Sequence, residues 1–315
     1  MSIKRTQRIE FIPSRDISVE DIVEEYLTAM RAIGAYSDST LYNRSYELKR
    51  FSAFLIESGI STTSHINRRH IISYLGTLPI QNASKETILH ILTKFLDYMV
   101  DEELVLDNAA AGIPRPKSYK PESDHLTKEE LNTLFRVEAE TAPPKMANRN
   151  LLLLTLFTAL CLRASEVVNT KLSDIRLDTR EMWVRRKGGK QEKMPLNDSI
   201  IIRFEKWYAD RESFKNSSSD WVFLSSHGNR LPTRQARYIV STALTKAGIS
   251  KRKKGTHILR HSGASLLSEA GEDPRKIQFL LGHSSLHTTS RYLHFDHQAL
   301  KEMVERSPSL AFDTP

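Results

Sequence analysis

The chain has 315 residues, about two domains' worth, and its 39% hydrophobic content is too high for wholesale disorder. The longest apolar run, Leu151 to Leu162, is interrupted by Thr155 and Thr158 and stopped by Arg163, short of the ~20 residues of a membrane span. The basic start, Met1 to Arg15, lacks the apolar stretch of a secretory signal, and the single cysteine, Cys161, excludes an internal disulfide or a CxxC site. A cytoplasmic protein is expected. The formal net charge is +8; residues 1–120 carry 15 basic and 15 acidic side chains, so the excess falls in residues 121–315. This basic C-terminal part points to a polyanion, nucleic acid ahead of an anionic membrane surface.

Residues from about Ser18 to Val105 predict four helices. Ser18 and Asp21 stand at cap spacing ahead of an apolar face of Ile22, Tyr26, Met30 and Ile33. A second helix starts at Ser39 or Thr40 and buries Leu41, Leu48, Phe51 and Leu55. The third, short, lies near His65 to Leu78, and the fourth starts at Ser84 with Ile88, Ile91, Leu92, Phe95 and Met99 inward. Short connections make these a bundle. Residues 107–124 then bring Pro114, Pro116 and Pro121 without apolar periodicity, an expected linker with Arg115, Lys117 and Lys120.

A second unit opens at Thr127 with Glu130 at capping-box spacing and continues through an apolar helix over 149–162. Extended segments follow at Asp174–Leu177, Met182–Arg186 and Glu192–Leu196, with Gly188-Gly189 supplying the positive φ of a tight hairpin. From Pro232 onward the pattern is helical. The expected fold is mainly α with a small antiparallel β-sheet.

Several chemistries are absent: no GxxxxGK[ST], no GxGxxG after a strand and no HExxH. His257/His261 and His283/His287 are spaced i, i+4, but no third ligand stands at a suitable spacing, so neither a metal nor another cofactor is called for. What remains is a set of polar residues mostly embedded in apolar text. Arg163 ends TALCLRASEV; burying it demands an anion, either Glu166 or a ligand phosphate. Lys187 stands at the hairpin tip in VRRKGGKQEKMPL. His257 and Arg260 fall on one helix face in THILRHSGASLL, His283 follows Leu281-Gly282, and Tyr292 sits in HTTSRYLH. Taken singly, each has an ordinary structural explanation.

Taken together, LCLRASEV, VRRKGGKQEKMPL, THILRHSGASLL and LLGHSSLHTTSRYLH resemble the tyrosine recombinase (phage integrase) family. IPRPK and VFLSSHGNRLPTRQARYIV are similar to Xer-type members. The resemblance implies a helical core-binding domain at 16–106, a Pro-rich linker at 107–124 and a catalytic domain at 125–315, closing as a C-shaped clamp on DNA. It also implies a C-terminal helix, near residues 296–306, whose Leu300 and Met303 dock on a neighbouring protomer; a terminal helix packed on its own chain is the alternative. Cys161 departs from the glycine that many relatives carry there, and a small packing change is expected.

The chemistry follows from the residue types. Arg163 and Arg260 can bind the non-bridging oxygens of a phosphodiester as negative charge builds, work that metal ions do elsewhere. Tyr292 is the implied nucleophile, forming a phosphotyrosine that stores the bond energy without ATP. Lys187 is the implied acid for the departing 5′ oxygen and His283 a further donor; His257 either accepts a proton or orients the phosphate. The resemblance implies a site-specific recombinase forming a 3′-phosphotyrosine and a Holliday junction, acting as a homotetramer or a heterotetramer with a related recombinase on double-stranded DNA. Its rivals are a catalytically silent DNA-binding protein and a type IB topoisomerase-like nicking enzyme. With about fifteen residues ahead of the first helix, a simple two-domain recombinase without a separate arm-binding domain is expected. Further DNA contacts are expected from Arg44, Arg50, Arg68 and Arg69, and from Lys190, Arg234, Arg237 and Lys251 to Lys254.

Overall fold

The computed structural model describes residues 13–117, 125–186, 188–251, 255–282 and 297–305. The chain divides into two compact units, Met1–Pro121 and Glu122–Pro315.

Among its described residues unit 1 has four α-helices: α1 (Val19–Ala32), α2 (Asp38–Glu57), α3 (Arg68–Thr77) and α4 (Asn82–Asp101). The cap expected at Ser18 forms, its Oγ accepting from the Asp21 amide at 3.0 Å. Helices α2 and α4 start one or two residues earlier than expected, because Ser37 and Gln81 take extended backbone and neither makes a side-chain cap. The predicted stripes of α2 and α4 are buried around Ile22 and Tyr26 of α1, whose ring meets Phe95 edge-on. Ile33 is not part of that core: α1 stops at Ala32, and Ile33 is 71% exposed.

The expected linker is docked over its first half. Asn108 Nδ2 donates to Asp97 Oδ1 at 2.6 Å and to the Thr93 carbonyl at 3.0 Å, and Ala110 is buried. Contacts to the same unit continue into the proline-bearing part, where Asn82 Nδ2 donates to the Lys117 carbonyl at 2.9 Å.

Unit 2 contains α5 (Lys128–Thr141), α6 (Pro144–Thr158), α7 (Ala164–Val168), β1 (Ile175–Arg176), β2 (Glu181–Arg185), β3 (Gln191–Pro195), α8 (Asp198–Arg211), α9 (Thr233–Lys246), α10 (Thr256–Glu269), α11 (Pro274–Leu280) and α12 (His297–Glu305). The Thr127–Glu130 capping box closes at both ends, at 2.9 and 3.2 Å. The strands form an antiparallel sheet in the order β1-β2-β3, with Met182 opposite Met194, and Gly188 and Gly189 have φ of +85° and +83° as the hairpin requires. Helix α6 ends at Thr158, four residues short of expectation, because α10 crosses there. A Cβ on Gly263 of α10 would lie 1.9 Å from the Thr158 carbonyl oxygen. Helix α12 packs on β3 and buries Leu300, Met303 and Val304 in this unit's own core. Among the described residues no helix is long and apolar enough to cross a membrane.

Candidate active site

The end of α6 sets the first arginine. After Thr158 the chain turns through Cys161, whose φ of +49° is a left-handed conformation costing a non-glycine residue on the order of 1 kcal/mol. The consequence of cysteine at this position is therefore in the backbone rather than the small packing change expected. Burial pushes its thiol up to about 12, so it carries no thiolate chemistry. The turn delivers Arg163 to the start of α7. Its amide donates to Glu166 Oε2 (2.7 Å), its Nη1 to Glu166 Oε1 (2.8 Å) and its Nη2 to the Gly282 carbonyl (3.1 Å).

Helix α10 sets the second. Gly255, at φ +111°, starts the helix, placing His257 in its first turn and Arg260 one turn on. Arg260 is 4% exposed; its Nη1 donates to the Cys161 carbonyl at 2.6 Å and lies 3.9 Å from Glu166 Oε2, and its Nη2 donates to the Leu281 carbonyl. Burial, then the neighbouring Arg163, lower this guanidinium to about 10, so it stays cationic at neutral pH. His257 lies at the rim. Desolvation of its ring, then the charges of Arg260, Arg237, His261 and Arg163, hold its pKa below the usual imidazole value. It is neutral at pH 7 and keeps a lone pair for a proton.

The structure brings Arg163 and Arg260 together beside one carboxylate, with His257 near enough to both arginines to feel their charges. Lys187, His283, Tyr292 and the run Arg252, Lys253 and Lys254 lie outside the described residues. A third arginine escaped the sequence reading. Arg186 is buried, donating from Nη1 to Glu166 Oε2 (2.9 Å), from Nε to Glu192 Oε2 (3.0 Å) and from Nη2 to the Leu280 carbonyl (2.9 Å). A signal existed: Met182 and Val184 are the inward residues of β2, and the period of two continues to 186. Three successive carbonyls, Leu280 to Gly282, are thus each held by a different arginine, at the C-terminal end of α11 where unpaired carbonyls favour cations.

The expected DNA contacts divide. Arg44 is only 6% exposed, stacked 4.0 Å over the Tyr36 ring and donating to Tyr26 Oη, so its guanidinium holds α1 and α2 together rather than facing solvent. Arg68 donates to the Ala111 and Gly112 carbonyls and secures the docked segment. Arg50 pairs with Glu47 and Lys190 with Glu192. Lys251 pairs with Glu130 at 3.0 Å. Arg69, Arg234 and Arg237 are exposed. Among the described residues no group of three or more His, Cys, Asp or Glu is placed to hold a metal ion.

Comparison with known proteins defines the class. The chain is 31% identical to tyrosine recombinase XerD of Oceanobacillus iheyensis, over 91% of this chain and 98% of the relative. It is 28% identical to tyrosine recombinase XerC of Psychromonas ingrahamii, over 92% and 97%. It is a tyrosine recombinase, an enzyme that cleaves and rejoins DNA. The chain belongs to the phage integrase family, which residues 124–299 match. The fold agrees with the XerH site-specific recombinase in its post-cleavage complex with difH substrate (TM-score 0.69, 22% identity, 92% of this chain and 84% of that one). It agrees also with a lambda integrase(75-356) dimer bound to a COC′ core site (TM-score 0.66, 22% identity, 85% and 96%). These relatives, and not the placement of α12, favour recombination over the topoisomerase-like alternative.

Proposed function

We propose that this chain is a site-specific recombinase whose scissile phosphate is held by Arg163 and Arg260, attacked by Tyr292 and released at its 5′ oxygen by Lys187. The observation that carries this reading is the convergence of Arg163 and Arg260 beside one buried carboxylate, with His257 close to both. Two cationic forks at one place suit the two non-bridging oxygens of a phosphodiester, whose charge grows in the transition state. The P–O bond to the tyrosine forms as the P–O bond to the 5′ oxygen breaks. His257 is free to take the phenol's proton, and Lys187 supplies one to the leaving oxygen. His283 adds a hydrogen bond to the phosphate. The product is a 3′-phosphotyrosine, resolved by strand exchange through a Holliday junction.

The partner in this reading is double-stranded DNA at a specific site, bound by four protomers, identical or of two related kinds, in the cytoplasm. The first unit is the core-binding domain and the second the catalytic domain, with the exposed Arg69, Arg234 and Arg237 available to phosphates.

The test is Tyr292→Phe, which removes one oxygen. The covalent adduct on a nicked suicide substrate disappears from a denaturing gel, while mobility-shift affinity stays near wild type. An adduct that persists would identify another nucleophile and overturn the assignment.

A further inference from the structure

The turn after β2, residues 186–190, is closed by its own backbone. The Arg186 amide donates to the Lys190 carbonyl (2.7 Å) and the Gly189 amide to the Arg186 carbonyl (3.2 Å). Nothing in those bonds fixes where the turn sits relative to the arginines. The Arg186 side chain does. It is 4% exposed, between carboxylates that are themselves 3% and 10% exposed, and its three donors end on three separate segments: Glu192 of the hairpin, Glu166 of α7 and the Leu280 carbonyl that closes α11. The contact is close enough to dictate a second residue. A Cβ on Gly282 would stand 2.9 Å from Arg186 Nε, and Gly282 has φ +54°. Glu166 is also the residue that Arg163 grips and Arg260 approaches, so one buried cation connects the hairpin turn to both phosphate-binding arginines. A buried arginine so fully engaged is costly to desolvate, and its multiple partners are what sustain it.

We infer that Arg186 is a positioning residue for cleavage: it ties the base of the hairpin, the residue immediately before Lys187 in the chain, to the carboxylate that Arg163 grips and Arg260 approaches. This rests on the reading above, in which Lys187 protonates the 5′ oxygen. Arg186 touches no substrate atom. It acts through the lysine that follows it.

The experiment separates that role from mere structure by the leaving group. A 5′-bridging phosphorothiolate suicide substrate departs as a thiolate, which needs no acid because a thiol ionises near pH ~8.5. Arg186→Gln is expected to form adduct about 100-fold more slowly than wild type on the oxygen substrate, the usual consequence of an ångström-scale misplacement. It should return to within about tenfold of wild type on the sulfur substrate. Glu192→Gln removes the hairpin end of the tie together with the Lys190 ion pair, and is expected to show a smaller, equally rescued loss, which keeps the test open if Arg186→Gln does not fold. Lys187→Ala is the control for the underlying reading. If sulfur fails to rescue Lys187→Ala, the lysine is not the acid and that reading falls. If it rescues Lys187→Ala but neither Arg186→Gln nor Glu192→Gln, only the positioning role is refuted. Oxygen-substrate cleavage by folded Arg186→Gln at the wild-type rate would refute it as well.

Discussion

Gly263→Ala asks whether the contact between α6 and α10 holds Arg260 in place against the Cys161 carbonyl. The added methyl would begin 1.9 Å from the Thr158 carbonyl oxygen, 2.9 Å from its carbon and 3.0 Å from Cys161 Sγ. Two of these three obstacles are backbone, so no side chain can swing aside. Restoring an ordinary contact of 3.4 Å requires the helices to part by about 1.5 Å at this point. Arg260 is one turn earlier on the same helix, and its 2.6 Å bond to the Cys161 carbonyl spans the same gap. Overpacking of this kind costs about 1–3 kcal/mol. In a unit of this size that is a fall in Tm of roughly 2–12 °C. Moving Arg260 by an ångström or more should slow adduct formation about 100-fold or beyond. Differential scanning calorimetry and a suicide-substrate time course measure the two effects. Gly76→Ala, in α3 with nothing within 4 Å of its new methyl, is the control and should lose neither. A Gly263→Ala protein with wild-type Tm and wild-type cleavage would refute the close approach and the reasoning built on it.

Because the folded state holds His257 below the usual imidazole pKa, the unfolded chain takes up its proton first as pH falls. Stability should therefore be lost as pH drops from the unfolded value near ~6.5 toward the lower folded one, and His257→Asn should flatten that part of a Tm–pH curve; an unchanged slope would contradict the shift. In the same range wild-type cleavage should hold its plateau to below pH ~6.5, and a midpoint above that value would argue against a neutral imidazole. Arg44→Ala should destabilise unit 1 by about 1–3 kcal/mol, through the lost stacking on Tyr36 and hydrogen bond to Tyr26, yet leave the salt slope of DNA binding unchanged. A slope lower by about one in magnitude would instead place this residue on a phosphate. Cleavage should survive EDTA, and site binding should weaken steeply with salt; loss of cleavage restored by Mg²⁺ would revive a metal-dependent mechanism.

The local signals in the sequence carried far. Hydrophobic periodicity located the helices because burial follows the 3.6-residue repeat, and Gly188-Gly189 located the hairpin because only positive φ closes it. Arg163 and Arg260 were recognisable as charges set in apolar text that must find an anion. Features that depend on distant segments were not legible. The end of α6 is decided by Gly263, about a hundred residues later, and the left-handed turn at Cys161 by the same crossing. Arg44 looked like any surface cation, since nothing near it in sequence announces the Tyr36 ring beneath it. Arg186 was hidden beside Lys187 in a run of basic residues, although the alternation of β2 pointed it inward.

One carboxylate, Glu166, accepts from Arg163 and Arg186 and lies within 3.9 Å of Arg260. Removing any one of these cations leaves the same negative charge to be divided among fewer partners. The survivors are then gripped more tightly and are less available to a substrate. Alanine scanning across the three positions should accordingly give losses that do not add, and the energy attributed to one arginine will depend on which of the others is present. For this enzyme, the meaningful quantities are the coupling energies from double-mutant cycles among the three arginines and their shared glutamate.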